Sequence, residues 1–441
     1  MLRRLDPTHG HAVRCQRGDT ATVPRDAGSV HLHVTRGSDR GSYRAGMEGT
    51  LLFADRRRIE QVRCNLDDAR WQPALDRLSQ DTERSAAQSP WTVTAKSVLA
   101  PSGDPRDYVT LTEYCWPDPA QPDGLPWILR DGHINPDATA ASNNANDLRA
   151  AANGVFELAL WHRLTGSRTH GEHAAYVLHH WFLDPETGMR PNLEFASMIP
   201  GRAEAPGWGL IRAHPFLRFL DAELLLREAG LWPESLHDDL RQWFDEYLVW
   251  MLASSAWPEE MGRRNNHTTW CLALGTGLAL AVDRPRLAES FAERARHEIV
   301  AQIDPSGDQP AELARSRSYF YCSYNLEGLS VLADVAEQAG ADVWHHSTVS
   351  GQRLRSAARR LAPALRDPDS WPVPFHIDWD RTVGAAAMHR IVARCPEAAD
   401  IADELSEIPV AAHPRAREWL LWDTGVSPAG SPAVSSVPAR R

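Results

Sequence analysis

The chain has 441 residues, with 47 Lys+Arg against 58 Asp+Glu and a formal net charge of −11. That balance argues against a general binder of nucleic acid or of anionic membrane surfaces, because both are held mainly through clustered cations. The composition is otherwise that of a globular protein except that 17 Trp outnumber both 8 Tyr and 10 Phe, and flat amphipathic indoles suit large cores and sugar faces alike.

Residues 1–46 are rich in Arg, Gly, His and Ser, carry one short alternation (Val30, Leu32, Val34), and read as a disordered or mis-annotated extension, with Met47 as an alternative start. No apolar segment follows Arg3 and Arg4, so the chain as written reads as cytoplasmic, with secretion open if the true start lies elsewhere. The folded body is expected over 47–425 as one large domain, and 426–441 as a flexible tail. The six cysteines form no CxxC pair, which speaks against a zinc site or a disulfide scaffold. The longest nearly apolar run, Cys271 to Val282, is too short to span a bilayer.

From about residue 56 the apolar period is helical. Leu148, Ala152, Val155, Phe156 and Ala159 form a stripe that stops at Gly166, and Ala174, Val177, Leu178 and Trp181 one that stops at Asp184-Pro185. Leu217, Leu220 and Leu224 end at Gly230, while Leu240, Trp243, Tyr247 and Met251 end before Pro258. Leu287, Phe291, Ala295 and Ile299 stop at Asp304-Pro305, and Leu326, Leu329, Ala333 and Ala336 at Gly340. Each stop is a residue that belongs at a helix C-terminus or just beyond it. Strand candidates are short and scattered. Long helices with compact loops and no fixed-period repeat predict an all-α fold, an α/α toroid (an incomplete α/α barrel) of helical hairpins, over an open solenoid. Residues 100–140, rich in Pro, Asp, Gly and aromatics such as Tyr114, Trp116 and Trp127, read as an ordered excursion across one face.

Three polar clusters stand out. Arg263-Arg264-Asn265-Asn266-His267-Thr268-Thr269-Trp270 opens an apolar helix; Asn is a favoured N-cap, and amide and imidazole donors there also suit an anion. Glu312-Leu313-Ala314-Arg315-Ser316-Arg317 runs on to Tyr321 and Tyr324, which share a helix face at i and i+3, with Arg317 and Tyr321 at i and i+4. The tyrosines either pack with their hydroxyls at the rim or act as acid and base, the arginines favouring the phenolate. The turn-rich stretch Met189 to Phe195, with Asn192, continues through Arg202 to Trp208 and mixes amide, cation and indole. The pairs His170/His173, His179-His180 and His345-His346 lack metalloprotease spacing and read as structural or surface residues. No metal or cofactor motif is present, nor a G-x-S-x-G, P-loop or dinucleotide fingerprint.

These blocks, in order, resemble the alginate lyase family of polysaccharide lyases. Asp107-Tyr108 to Tyr114-Cys115-Trp116-Pro117-Asp118-Pro119 is similar to the family's DY…YWWPDP segment, with Cys115 in place of a Trp. Arg130-Asp131-Gly132 to Asn135-Pro136 is similar to RDG…NP, and Trp181 to Asp184 with Met189 to Leu193 to WFLDP…MNPNL, with Arg190 in place of Asn. Asn265-Asn266-His267 with Trp270 is similar to NNHxxW, and Glu312 to Tyr321 to ELxRTxSxxY. The resemblance covers roughly 60–380 and implies an α/α toroid that cuts acidic uronate polymers by β-elimination without a metal. It implies that Asn266 and His267 contact substrate, Arg315 supports the site and Tyr321 is the principal acid/base. Trp116, Trp208 and Trp270 are then candidate sugar-stacking walls, and Asn192, Arg202 and Arg264 candidate substrate contacts. Cys115, Arg190 and Ser197, where many members have Gln, depart from the family in segments expected to touch substrate.

In mannuronate and glucuronate H5 and O4 lie on the same side, so one Tyr serves both steps; in guluronate His267 is the candidate for the opposite face. Two competing classes remain at this stage. A hydrolase on the same architecture would need a carboxylate pair drawn from Asp147, Glu259, Glu260, Asp378 and Asp380. A non-catalytic carbohydrate-binding protein would have no use for an acid/base Tyr. The oligomeric state is left open.

Overall fold

The protein's structure, a computed structural model, describes residues 50–141, 144–202, 205, 207–345, 347–373, 384–408 and 416–426. The expected extension 1–46, all but the first residue of the tail 426–441, and Asp378, Asp380 and His346 lie outside the described residues.

In chain order, α1 (Arg56–Arg63) and α2 (Gln72–Gln88) precede the excursion. That excursion carries β1 (Val109–Leu111), β2 (Cys115–Trp116) and β3 (Ile128–Leu129), and it runs into the short α3 (Pro136–Ala141). Next come α4 (Asn144–Thr165), α5 (Arg168–Phe182), β4 (Phe195–Met198), α6 (Phe216–Glu228) and α7 (Glu234–Ala253). The site region follows as α8 (Ala256–Gly262), α9 (Asn266–Ala281), α10 (Pro285–Gln302), α11 (Pro310–Leu313) and α12 (Ser318–Gln338). The chain closes with α13 (Val349–Leu361), α14 (Pro363–Arg366), α15 (Ala385–Arg394), α16 (Ala399–Ser406) and α17 (Glu418–Leu421).

Burial sorts the long helices into two layers. α9 is buried around nearly its whole circumference, from Asn266 through Ala279, and α12 likewise from Leu326 to Ala336. A helix apolar on every side belongs inside other helices. The inner row runs α4–α6–α9–α12–α15, each packed on the next. The amphipathic α5, α7, α10 and α13 each pack across two neighbouring inner helices, with α2 and α16 at the ends of the outer row. This is the expected toroid of hairpins, an open arc rather than a closed barrel. Gly166, Gly230 and Gly340 follow α4, α6 and α12 at φ 76°, 68° and 91°, the left-handed turn that ends a helix and that a side chain would strain. The stripe expected to end before Pro258 does so, with Ser254 as the helix C-cap, and Pro258 sits in the first turn of α8.

The ends of the arc are tied through the terminal segments. Asp221 on α6 accepts from the backbone N–H groups of Leu52 and Phe53, both at 2.7 Å. Arg390 on α15 donates to the Leu52 carbonyl at 2.7 Å and pairs with buried Asp334. The Asp55 N–H donates to the Leu421 carbonyl at 2.8 Å, and α17 packs on α1, α2 and α15.

The excursion is pinned to this body by buried amides. Asn144 accepts from the Val109 N–H and donates to the Val93 carbonyl, both at 2.9 Å, and Asn135 donates to the Cys115 carbonyl at 2.8 Å. β1 pairs in parallel with β4, and β2 pairs antiparallel with β3. The five described cysteines are free. Among the described residues no helix is long and apolar enough to cross a membrane.

Candidate active site

The inner layer supplies two helix starts side by side. Asn265 caps α9, its side chain accepting from the His267 N–H at 3.1 Å, so Asn266 and His267 occupy the first turn of that helix. Tyr321 lies in the first turn of α12, reached from α11 through Arg315. α9 and α12 pack along their lengths, and Gly328 permits it: a Cβ there would meet Thr269 and Trp270 atoms at 2.9 Å. Two clusters about fifty residues apart in sequence thus become one site.

Glu312, on α11, is its hub. It is 1% exposed and accepts from Asn266 three times: from the backbone N–H at 2.6 Å and from Nδ2 at 2.9 and 3.0 Å, one contact to each oxygen. Burial pushes the Glu312 carboxyl above its ordinary range against these donors, and Arg315 and His267 both act on its charge. Arg315 lies with its guanidinium carbon 3.8 Å from the Tyr321 ring centre. The excursion supplies the remaining partners. Asp131, just after β3, accepts from Arg315 Nη2 at 2.5 Å and Nε at 3.3 Å, and from the Ser316 hydroxyl at 3.0 Å. The Tyr321 hydroxyl donates to the Tyr114 hydroxyl at 2.8 Å. Asn266, His267, Arg315 and Tyr321, chosen from two sequence clusters, are therefore brought together.

Electrostatics corrects one expectation. The arginines were expected to favour the Tyr321 phenolate, yet its pKa is raised well above the ordinary tyrosine value. Burial dominates, Tyr114 adds to it, and the opposing pull of Arg315 is smaller. The cation concerned is also not Arg317, which stacks on Phe320 at 4.4 Å, but Arg315. Arg315 is itself held charged: burial is the largest single influence and opposes this, but the hydrogen bond to Asp131 and the neighbouring acidic groups together outweigh it. Asp131 is correspondingly below the usual carboxylate range, its donors outweighing its burial.

The substrate-binding candidates divide. Trp270 is not a sugar wall: it is 2% exposed, covered by the His214 and Tyr324 rings at 4.5 and 5.4 Å, because the α9–α12 seam buries it. Trp116 and Trp208 are half-buried. Trp116 donates to the His133 carbonyl at 2.8 Å on the ribbon that carries Tyr114 and Asp131. Trp208 lies under the Arg263 guanidinium at 5.2 Å, beside the start of α9. Arg264 is exposed and held at φ 50°, a left-handed conformation immediately before the cap. Arg202 is exposed, and Asn192 closes a local turn by accepting from the Glu194 N–H at 3.1 Å. Neither makes a hydrogen bond or ion pair to the four central residues. Of the family departures, Cys115 is fully buried and so does not line the site, whereas Arg190 pairs with Asp104 at 2.8 Å on the surface. Ser197 is buried at φ 58°, its hydroxyl 3.5 Å from Arg212 Nε.

The sequence reading assigned no role to Glu312, Asp131 or Tyr114, although each sits inside a quoted block. Their signal was their place in the blocks RDG, ELAR and DY…Y, not their chemistry. His179, His180 and Asp184 bring ligand atoms within 4.8 Å of one another at half-buried positions, apart from these residues.

The sequence model of the family described as alginate lyase matches residues 92–371, which hold every residue of this site. The chain belongs to the alginate lyase family. It is therefore a polysaccharide lyase. A crystal structure of an alginate lyase from Bacteroides ovatus is 27% identical, with TM-score 0.77 over 84% of this chain and 99% of that one. Alginate lyase A1-III, in a variant complexed with a tetrasaccharide, is 15% identical with TM-score 0.49 over 78% of this lyase and 89% of that chain. The A1-III structure from Sphingomonas species A1 is 14% identical with TM-score 0.45 over 72% and 86%. No curated protein matches the lyase by sequence.

Proposed function

We propose that this lyase cleaves a 1,4-linked uronate polymer of the alginate type by β-elimination. Tyr321 is its acid/base, and Asn266, His267 and Arg315 hold the carboxylate of the sugar that loses its C5 proton. The observation that carries this reading is the convergence of Asn266, His267 and Arg315 around Glu312, with Arg315 stacked on the Tyr321 ring.

The chemistry sets the requirements. H5 is weakly acidic while the neighbouring carboxylate keeps its full charge, and negative charge accumulates there as an aci-enolate when the proton leaves. Preorganised donors stabilise that charge as an oxyanion hole does. Asn266 Nδ2 lies 2.9 and 3.0 Å from the two Glu312 oxygens, so the buried carboxylate fixes the orientation of the amide. Asp131 engages Nε and Nη2 of Arg315, which leaves Nη1 toward the same task.

Elimination then breaks C5–H and C4–O4, forms the C4=C5 double bond, and delivers a proton to O4. Because burial holds Tyr321 neutral at rest, it must first lose its hydroxyl proton. The phenolate takes H5 and returns it to O4. One residue suffices where H5 and O4 share a face, as in polymannuronate and glucuronan. Support for the alginate type comes from the family and from the Bacteroides ovatus relative.

The test is Tyr321→Phe with polymannuronate. Its ultraviolet-absorbing unsaturated product is expected to form at least about 10³-fold more slowly, with binding retained. Full turnover by that variant refutes the assignment.

A further inference from the structure

A second carboxylate is built into the site beneath His267. Glu260, in the last turn of α8, is fully buried, and its Oε2 lies 2.8 Å from His267 Nδ1. The Arg263 guanidinium is 3.7 Å from the same oxygen. The other oxygen, Oε1, is buried without a hydrogen-bond partner among the described residues. An ionised carboxylate accepts only, so the neutral imidazole facing it must carry its proton on Nδ1.

The backbone around this pair is locked. The Thr268 hydroxyl donates to the Glu260 carbonyl at 2.7 Å and accepts from the Arg264 N–H at 2.8 Å. Arg264 takes its left-handed φ between the two, Asn265 caps α9, and Arg294 on α10 donates to the Met261 carbonyl at 2.6 Å. Leaving one oxygen of a buried carboxylate without a donor costs stability. The local strain adds to that cost, and both are tolerated where an arrangement serves chemistry.

We infer that Glu260 is a positioning residue, which fixes the Nδ1–H tautomer of His267 and presents Nε2, with its lone pair, to the bound sugar. The imidazole side chain is 21% exposed, so part of the ring is open to substrate while Nδ1 is engaged by Glu260. Nε2 is then an acceptor or base toward the sugar rather than an N–H donor. This moves His267 from carboxylate binding, the role given to it above, to proton handling, and leaves charge stabilisation at the carboxylate to Asn266 and Arg315. The inference rests on the proposed elimination for its catalytic meaning, but the tautomer does not.

The test therefore has two arms. Histidine-selective ¹⁵N spectra of the whole protein, with His267 assigned from the missing signals of His267→Asn, should show the neutral ring protonated on Nδ1. A proton on Nε2 overturns the inference whether or not any polymer is cleaved. In the second arm Glu260→Gln should lower kcat about 10²-fold at unchanged KM, as a misassigned tautomer does in other proton-relay sites. A folded Glu260→Gln protein with wild-type kcat also overturns it. If the wild type cleaves no uronate polymer, the functional reading fails and the spectra alone decide this one.

Discussion

Tyr114 is the residue whose removal separates geometry from chemistry most cleanly. It raises the Tyr321 pKa in two ways, by its charge and by the hydrogen bond between the hydroxyls, while burial raises it more. Tyr114→Phe should therefore lower the Tyr321 pKa without restoring the ordinary value. The rising alkaline limb of the kcat profile is expected to move to lower pH, with kcat at its plateau changed less than about tenfold. An unmoved limb would mean that Tyr321 does not titrate in the rate-limiting step. The proximity of arginines in the sequence suggested a stabilised phenolate, and that suggestion failed for a physical reason. Sequence spacing gives which charges are near, whereas desolvation depends on how deeply the tertiary fold buries the ring.

Between elements, the seam of α9 and α12 decides whether Asn266 and Tyr321 face one substrate. Gly328 lets α12 approach the Trp270 indole and Thr269, and an added methyl there has rings and backbone-fixed atoms to displace rather than a flexible chain end. Gly328→Ala should destabilise the protein by about 1–3 kcal/mol through overpacking, measured by denaturant unfolding. It should also lower kcat, because the two helix starts are pushed apart. Stability loss with untouched activity would show that the seam adapts locally. The helices themselves were readable from apolar period and from Gly stops, since both act within a few residues. That Trp270 is core was not readable, because an indole at a helix start looks the same whether α12 covers it or a sugar does.

Across the whole molecule, the N-terminal strap is held to the inner layer by a buried carboxyl. Asp221 is raised to about 7, chiefly by burial, with the Leu52 and Phe53 N–H groups, Arg390 and Arg218 pulling the other way. In the unfolded chain it titrates near 3.8. Between those values the folded state holds a proton that the unfolded state has lost, so the Asp221 contribution to stability falls as pH rises from about 4 to 7. Asp221→Asn cannot ionise but gives up one acceptor, which costs about 1–3 kcal/mol at low pH. The stability gap between wild type and variant should thus shrink as pH rises through that window and then level off. Thermal unfolding at pH 4.5, 6 and 7.5 measures it; a constant gap would mean that Asp221 stays ionised throughout.

By itself the sequence determined the helical hairpins, the excursion across one face, and the blocks that place the chain in its family. Each is set by local period, by breakers, or by motifs a few residues long. Only the tertiary structure decided that Glu312, Asp131 and Tyr114 bind the site together, that Trp270 is core, and that Cys115 is covered. Those outcomes depend on burial and on contacts between segments as far apart as Tyr114 and Tyr321. Only the packing of the inner layer brings such segments within hydrogen-bond range and removes the water that would otherwise weaken their charges.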